Sequence, residues 1–571
     1  MPAGRGLRPF TGLAVASLAL ALTGTVLSPT GAAAQRVRGT VRDSLSRQPL
    51  AGAVVWLTDG GGKFLARALA DENGQFAVIR VIGATQLHVV HIGFRPVVVA
   101  VGRAASDTLF DVAMGSIPLT LDTVASSRRR ICPGEKGTNA ALGLWEQARA
   151  ALLASVVARD VGAPALEMKS YKRYVDPRTH EPSDQTITLR LLRGDRSYVS
   201  ARPPGEFVTE GYMLEAHGDR TFFAPDDAVL LDQTFAETHC LRVVDGSGTH
   251  AGEVGIGFEP VADRMRDTLV DVKGVLWLSP SAHALRSLEF NYTDLEREAD
   301  ISGGEVIFTV MPTGAPMITR WEIRSARLSV IDPITLPGIK RKLFDRRDRT
   351  NVRLINVRED GGRVVTATWP DGRQWRDTTL RTVSGQLVAD AGTPIGGMTV
   401  WLDDSPDSTV TDEAGNFTLT GVLPGTYMVM ASDDALARVS VSRGRRLIDV
   451  RQGNHRTANI VYLSAAQLVA NACEGQRKPD GTGVLLGRVV NQAAAPIADV
   501  QLDAIWRPGA DLATRPDLET RSDSSGRFAI CGAPLGDVVR LHAVAPGSTT
   551  DVEWKQAGLQ AMTVVIRPPE Q

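Results

Sequence analysis

The side chains with the clearest potential for chemistry are His250 and Glu253, which form the pattern H-x-x-E. A histidine and a carboxylate at this spacing can serve as zinc ligands in a hydrolase. Here Gly246, Gly248 and Gly252 surround the pair, and glycine disfavours the helix that would hold it. No third histidine follows in a matching strand context. The sequence therefore predicts no catalytic residue and no metal ligand, and a zinc hydrolase is the least favoured alternative.

Other signatures of catalysis are missing from the sequence. It contains no H-E-x-x-H, no G-x-S-x-G and no phosphate-binding loop. His88 and His91 flank two valines in a predicted strand, where positions three apart face opposite sides of the sheet. They are therefore poorly placed to share a metal. We expect no cofactor, and the protein is predicted not to be an enzyme.

Two charged clusters could bind ions or lipids. Residues 340–349 carry six basic side chains that could contact lipid phosphates, but Asp345 and Asp348 interrupt them, which favours a solvated loop. The acidic turn, residues 403–407, has three carboxylates that could bind calcium. A polar hairpin between two strands accounts for the acidic turn without an ion. The basic cluster consists of Lys340, Arg341, Lys342, Arg346, Arg347 and Arg349.

Composition and length limit the class of protein. A chain of 571 residues is too long for one core and predicts several domains. Its 55 glycines, 31 prolines and 5% aromatic residues are typical of many short strands joined by tight turns. The formal net charge of −1 gives no argument for nucleic acid as a partner.

Residues 1–34 are predicted to be a signal peptide that is removed. Arg5 and Arg8 give a basic start, residues 12–27 are almost wholly apolar, and three alanines precede Gln35. An N-terminal membrane anchor is the alternative, but the apolar run is short for a span of about 20 residues. No later segment is apolar enough to cross a bilayer. We expect an exported protein in the periplasm, at the outer membrane or at the cell surface.

The chain has four cysteines, Cys132, Cys240, Cys473 and Cys531. An even number of cysteines in an exported protein indicates disulfide bonds, and their spacing matches no zinc motif. Of the three possible connectivities, we favour Cys132 with Cys240 and Cys473 with Cys531. Each bond would then close a long loop inside one proposed unit, which stabilises the fold by about 3–4 kcal/mol.

Three segments of the chain share one pattern of strands and turns, which is the strongest signal in the sequence. Each begins with a strand that contains a glycine and continues through a proline turn into a second strand. Each then reaches a turn with an aspartate, a glycine and a phenylalanine. The copies are Val37–Val41, Pro49–Leu57 and Asp71–Phe76; Val383–Leu387, Pro394–Leu402 and Asp412–Phe417; and Leu486–Val490, Pro496–Val500 and Asp523–Phe528.

The turn aspartates, Asp71, Asp412 and Asp523, could be mistaken for metal or sugar ligands. An aspartate at this position hydrogen-bonds the backbone that follows it, and the glycine accepts a positive φ. The phenylalanine then enters the next strand facing the core. Turn chemistry alone is therefore the favoured interpretation of all three.

These segments resemble the carboxypeptidase regulatory-like domain, whose pattern is a G-x-V strand, a P-L-x-G-A-x-V step, a T-D-x-x-G-x-[FY] turn and a P-G-x-Y step. The second copy matches nearly throughout, including residues 424–427. The first copy has I-G-A-T at 82–85 instead of the last step, and the third has Asp499 where the family prefers glycine. The resemblance covers somewhat under half of the chain. It implies transthyretin-like sandwiches of about seven antiparallel strands, with a carbohydrate-binding-like fold and no catalysis.

The middle region repeats nothing. A helix is predicted over Thr138–Ala158, followed by a long antiparallel meander. The strand rhythm of Gly274–Pro280 and Leu285–Tyr292 resembles the half-barrels of periplasmic lipoprotein carriers, which hold acyl chains. That resemblance implies a lipid ligand, while an ordinary antiparallel sheet is favoured. The predicted strands are Gln185–Leu192, Lys273–Leu278, Leu285–Tyr292, Glu305–Thr309 and Met317–Ile323.

The sequence thus predicts a mainly β protein, with three immunoglobulin-like or transthyretin-like sandwiches flanking a β-rich middle domain that contains one helix. The favoured function is a non-catalytic binding or scaffold protein of the bacterial envelope, with a polysaccharide or an envelope protein as partner. A lipid or lipoprotein carrier built on the middle domain is the second hypothesis. The predicted division is 1–34, signal peptide; 36–115, sandwich; 116–135, linker; 136–375, middle domain; 381–463, sandwich; and 470–568, sandwich.

Overall fold

A computed structural model describes most of the chain. The described residues are 36–102, 109–117, 130–135, 140–179, 182–193, 197–198, 200, 202–216, 219–266, 269–330, 352–451, 453, 455–506 and 516–566. The predicted signal peptide and the basic cluster at 340–349 lie outside them, as does Thr138, where the predicted helix begins.

The first sandwich is built from two sheets. Its strands are β1 (Arg36–Asp43), β2 (Val54–Thr58), β3 (Phe64–Leu69), β4 (Gln75–Ile79), β5 (Gln86–Val90), β6 (Val97–Ala100) and β7 (Leu109–Met114). One sheet has the order β4-β1-β7 and the other the order β3-β2-β5-β6. Along β1, Val37 and Val41 are buried between the sheets while Arg36 and Arg38 are exposed. The two-residue period of the strand produces this alternation.

The middle domain contains five helices and two 3₁₀ turns among the described residues. The helices are α1 (Ala140–Gly162), α2 (Pro204–Glu210), α3 (Asp227–Leu231), α4 (Gln233–Thr238) and α5 (Ala262–Arg266), and the turns are Gly248–His250 and Arg297–Ala299. Only α1 is predicted from the sequence, and it ends four residues later than expected. The others have seven residues or fewer, which is too short for a helical period to be recognised.

A ten-stranded antiparallel sheet forms the centre of the middle domain. Its order is β12-β13-β14-β15-β16-β17-β18-β8-β9, with β19 also paired to β18, and β10 and β11 form a separate hairpin. The prediction of a meander is right for β12 to β18. Strands β8 and β9 precede them in sequence but lie beyond β18, where β9 forms the edge of the sheet. The strands are β8 (Ala165–Val175), β9 (Pro182–Arg193), β10 (Met213–Ala216), β11 (Asp219–Phe222), β12 (His239–Asp245), β13 (Val254–Pro260), β14 (Val272–Ser279), β15 (Ala284–Tyr292), β16 (Gly303–Val310), β17 (Pro316–Val330), β18 (Val352–Thr368) and β19 (Gln374–Arg376).

The second sandwich repeats the two-sheet arrangement of the first. Its sheets have the orders β23-β20-β26, with β27 also paired to β20, and β22-β21-β24-β25. The elements are β20 (Arg381–Ala389), β21 (Thr399–Leu402), β22 (Ser408–Val410), β23 (Asn416–Val422), β24 (Thr426–Ser432), α6 (Asp434–Arg438), β25 (Gly444–Asp449), β26 (His455–Thr457) and β27 (Ile460–Tyr462).

The third sandwich follows helix α7 (Ala465–Ala472) and has the sheet orders β31-β28-β34 and β30-β29-β32-β33. In all three sandwiches the last strand runs parallel to the first, whereas the resemblance implies only antiparallel pairs. The chain ends each sandwich by crossing back from the four-stranded sheet, which sets this direction. The strands are β28 (Thr482–Val490), β29 (Gln501–Ile505), β30 (Leu518–Arg521), β31 (Arg527–Pro534), β32 (Val538–Ala545), β33 (Ser548–Lys555) and β34 (Leu559–Val565).

A glycine on the first strand of each sandwich faces a phenylalanine on the neighbouring strand. A Cβ added at Gly39 would lie 2.7 Å from the ring of Phe76 and against the carbonyl oxygen of Phe110. The aromatic ring therefore occupies the space of the missing side chain, which explains why the strand and turn motifs recur together. The pairs are Gly39 with Phe76, Gly385 with Phe417 and Gly487 with Phe528.

Replacing Gly39 by alanine is expected to lower the stability of the first sandwich by about 1–3 kcal/mol, because the ring and the strand must shift to admit a methyl group. Differential scanning calorimetry of the whole chain measures the effect. Gly60→Ala is the matched control, since an added Cβ there meets nothing within 4 Å. The explanation fails if both variants unfold at the same temperature as the parent protein.

Two disulfide bonds connect the cysteines, Cys132 with Cys240 and Cys473 with Cys531. This is the connectivity favoured from the sequence. The first bond fastens residues 130–135 to β12, where Ile131 also pairs with Leu241. The second bond joins the residue that follows α7 to β31 of the third sandwich.

Candidate functional site

The H-x-x-E pair lies in the hairpin between β12 and β13. His250 ends a 3₁₀ turn and stacks on Trp277, with the ring centroids 4.1 Å apart and the planes 6° from parallel. Its Nδ1 lies 2.7 Å from Oε2 of Glu253, and its Nε2 lies 2.8 Å from Oε1 of Glu289. Each ring nitrogen is thus a hydrogen-bond donor to a carboxylate when the imidazole is protonated.

The arrangement around His250 suits a charged histidine better than a metal ligand. Partial burial lowers the pKa of His250, but hydrogen bonds to Glu253 and Glu289 outweigh this effect and raise the pKa above its ordinary value. The two carboxylates bond opposite edges of the ring, so they cannot join it in ligating one ion. Within the described ranges, no three histidine, cysteine or acidic side chains are grouped to hold a metal. The pair fastens a hairpin to β15.

The turn aspartates use their carboxylates on their own backbone. Oδ1 of Asp71 accepts hydrogen bonds from the backbone N–H groups of Asn73 and Gln75, at 2.9 and 2.8 Å. Asp523 accepts the two equivalent bonds in the third sandwich, and Asp412 in the second accepts the one from Asn416, four residues ahead. Gly74 follows with a φ of +69°. The three aspartates therefore have the hydrogen bonds of turn residues, in agreement with the turn role inferred from the sequence.

The histidines at 88 and 91 also have local partners. His88 stacks on Trp56, with the centroids 5.1 Å apart, and bonds the hydroxyl of Thr58 at 3.0 Å. His91 contacts the carbonyl oxygens of Ile92 and Ala51. The two imidazoles therefore serve different contacts.

The acidic turn at 403–407 docks the second sandwich on the middle sheet. The ammonium of Lys169 on β8 forms an ion pair with Asp407 and donates a second hydrogen bond to the carbonyl oxygen of Gly421 at 2.6 Å. The N–H of Ile187 on β9 donates to the carbonyl oxygen of Asp404 at 2.8 Å. Burial raises the pKa of Asp404, and the carboxylate of Asp403 adds to the rise. Sequence reasoning missed this contact because its two sides are 238 residues apart.

A second polar contact lies beside the first at the same junction. The guanidinium of Arg173 donates to Glu359 at 2.5 Å and to the carbonyl oxygen of Pro424 at 3.4 Å. The hydroxyl of Tyr171 donates to Glu322 at 2.6 Å. Burial raises the pKa of both Tyr171 and Glu359, with the neighbouring Glu322 carboxylate adding to each rise. Ile187 is itself part of the apolar core of the second sandwich. The second sandwich and the middle domain therefore share a core.

The other two sandwiches are also packed against their neighbours. In the first, the N–H of Gly93 donates to the side chain of Gln147 on α1 at 2.7 Å, and Val54 packs with Val157 of α1. In the third, the outer face of the three-stranded sheet packs against α6 and α7. The apolar side chains of that contact include Leu436, Leu468, Val484, Leu486 and Cys531.

Helices fill the face of the middle sheet that a carried lipid would need. Leu144, Trp145 and Leu152 of α1 pack directly on the apolar side chains of this face. A cavity of about 50 Å³ remains between α1, the start of β17 and Trp369, with Ser155, Arg159 and Asp227 among its lining residues. Small-molecule sites have volumes of about 300–1,000 Å³, so this cavity is too small for an acyl chain. The face is that of an ordinary covered sheet.

Among the residues that the structure describes, none covers the outer face of the first sandwich's three-stranded sheet. A groove of about 560 Å³ crosses it, and its floor combines charged, amide, hydroxyl and apolar side chains. We call this groove, on the outer face of β4, β1 and β7, the open groove. The residues of the open groove include Arg38, Thr40, Asp71, Gln75, Ala77, Leu109 and Asp111.

The strand orders define β-sandwiches of a small, immunoglobulin-like class. The model of the carboxypeptidase regulatory-like domain matches residues 36–115 and 382–462, so these two segments are similar to that domain. These matches cover the first and second sandwiches. The third has the same strand order and the same glycine–phenylalanine pair, and lies outside the matched residues.

Solved structures resemble the chain only distantly. A 3-chlorocatechol 1,2-dioxygenase from Rhodococcus opacus is 14% identical with a TM-score of 0.13; the match covers 16% of this chain and 62% of that one, under two thirds of its length. A streptococcal ancillary pilin is 12% identical over 38% of this chain and 80% of its own, with a TM-score of 0.13. The minor pilin of Streptococcus agalactiae is 14% identical over 34% and 97%, also with a TM-score of 0.13. Such scores support no conclusion about function.

No curated protein matches the sequence. Where the chain is described, no helix is both long enough and apolar enough to span a membrane.

Proposed function

We propose that the protein is an exported, non-catalytic binding and scaffold protein of the bacterial envelope, with carbohydrate as its leading ligand class. The observation that carries the proposal is the contrast between buried and open surfaces. The middle sheet is covered by helices, the third sandwich is covered by its neighbour, and the first sandwich keeps an open groove. The packed middle domain and sandwiches therefore hold the open groove of the first sandwich in a fixed position, where a ligand can reach it.

The two disulfide bonds support export, because such bonds persist in oxidising compartments. The predicted signal peptide at 1–34 agrees with it. The division into domains at 36–115, 136–375, 381–463 and 470–568 remains part of the proposal. The contacts of His250 and of the turn aspartates support the absence of catalysis, since each has a structural role.

Affinity capture tests the proposal. The immobilised chain is incubated with solubilised envelope and, separately, with cytosolic extract, and the retained sugars and proteins are identified by mass spectrometry. We expect selective retention of polysaccharide or envelope protein. Retention of nothing from the envelope fraction contradicts the binding function. Cell fractionation tests export, and recovery of the chain with an uncut leader in the cytosol contradicts it.

A further inference from the structure

Two outward arginines of β1 lie at the open groove: Arg38 lines it, and Arg36 is the next residue along the strand on the same face. Arg36 and Arg38 are both exposed and point to the same face, since residues two apart in a strand do so. Their Cα atoms are separated by about 6.6 Å, twice the rise per residue of a strand. Among the described residues, neither of these arginines takes part in an ion pair. By contrast, Arg42 on the same face is paired with Asp111.

The three sandwiches differ at this face although their backbones correspond. The strand register equates Arg36 and Arg38 with Thr382 and Ser384 in the second sandwich. The third sandwich has Val484 and Leu486 there, and these pack against α6 and α7. Two unpaired arginines are therefore not required by the fold, and only the first sandwich combines them with an open groove.

The rest of the open groove limits what can bind to the arginines. Asp71 and Asp111 line it as well, so a polyanion charged more densely than once per sugar ring would meet repulsion. Their carboxylates accept hydrogen bonds from hydroxyl groups, as do the side-chain oxygens of Thr40 and Gln75. Ala77 and Leu109, which is 77% exposed, offer apolar surface. The groove thus offers hydrogen-bond acceptors, arginine side chains and an apolar surface. A ligand with hydroxyls, spaced carboxylates and an apolar ring face complements all three.

We propose that the open groove binds an acidic polysaccharide, with Arg36 and Arg38 donating to uronate carboxylates and Oδ2 of Asp71, which its turn does not use, accepting from a sugar hydroxyl. Guanidinium groups bind carboxylates through charge-assisted, often paired hydrogen bonds. The inference rests on the proposed binding function and names its site and ligand class. It also implies that binding weakens as salt is added, because exposed charges are screened.

The test compares the parent chain with the double variant Arg36→Thr, Arg38→Ser, which installs the residues of the second sandwich at the corresponding positions. Binding to oligogalacturonate is measured by isothermal titration calorimetry, with dextran as a neutral glycan. We expect the variant to lose at least tenfold in affinity for oligogalacturonate, and dextran to bind neither protein. The double variant Arg445→Ser, Arg446→Ser is the matched control, since these arginines are exposed on β25 of the second sandwich. It should bind like the parent chain.

Three results overturn the inference. One is equal binding by the parent chain and the Arg36, Arg38 variant; another is an equal loss in the control variant. The third is that polyphosphate or polyglutamate binds as tightly as oligogalacturonate with the same dependence on the two arginines. Envelope capture by the parent chain separates the two proposals: if capture persists while these results hold, the binding function stands and only the site and ligand are wrong.

Discussion

Replacing Lys169 by methionine is expected to release the second sandwich from the middle sheet. The side chains of Lys169 and Asp407 are only 6% and 11% exposed. Methionine keeps the aliphatic stem but leaves the Asp407 carboxylate buried without its cation, and the carbonyl of Gly421 loses a donor. Breaking a buried ion pair from one side costs about 3–5 kcal/mol. Hydrogen exchange of the Ile187 amide, which bonds Asp404, reports the loss directly.

Two further variants separate the ion pair from general damage. Lys172→Met changes an exposed lysine on the same strand, and such substitutions cost less than about 0.5 kcal/mol. The double variant Lys169→Met, Asp407→Asn removes both charges and should recover most of the lost stability, because no buried charge is then left unpaired. Equal exchange at Ile187 in the parent and in Lys169→Met would show that this ion pair does not hold the junction.

The parts of the fold that could be predicted are those encoded by local pattern. The alternation of β1, with Val37 and Val41 inward, is visible in the sequence and survives in the structure. The turn role of Asp71 could be inferred because its hydrogen bonds reach only two and four residues ahead. The recurrence of the glycine and phenylalanine motifs is also a local pattern, and it predicts the three sandwiches.

The parts that could not be predicted depend on distant partners. Asp407 is in a polar turn, and no residue near it in sequence indicates that it pairs with Lys169 on the other side of the junction. Whether this sheet face is exposed also depends on the elements that pack beside each sandwich. In the third sandwich, α6 and α7 cover the corresponding face. A signal was present in β1, where arginine stands at positions that hold valine and leucine in the third copy. The shared glycine of the repeat aligns these positions, and the strand register agrees with that alignment.

Removing the disulfide between Cys473 and Cys531 is expected to destabilise the third sandwich and its contact with the second. The bond spans 58 residues of sequence, and closing a loop of that length stabilises the folded state by about 4 kcal/mol in the chain-entropy model. Both cysteines are buried in the apolar cluster that joins the third sandwich to α6 and α7. The double variant Cys473→Ala, Cys531→Ala should therefore show faster hydrogen exchange in β28 and β31 at moderate denaturant concentrations.

The variant Cys132→Ala, Cys240→Ala provides the control for position. Its bond spans 108 residues and fastens β12 of the middle domain, so it should leave exchange in β28 and β31 unchanged. Reduction of the parent chain separates loss of the bond from loss of side-chain volume, because reduced cysteines still fill the cluster. If the oxidised and reduced parent exchange equally in the third sandwich, the apolar contact with α6 and α7 alone holds it. If the reduced parent exchanges as fast as the alanine variant, the disulfide bond is what holds the third sandwich against α6 and α7. The outer face of its three-stranded sheet, which corresponds to the open groove of the first sandwich, then stays covered only while the bond is intact.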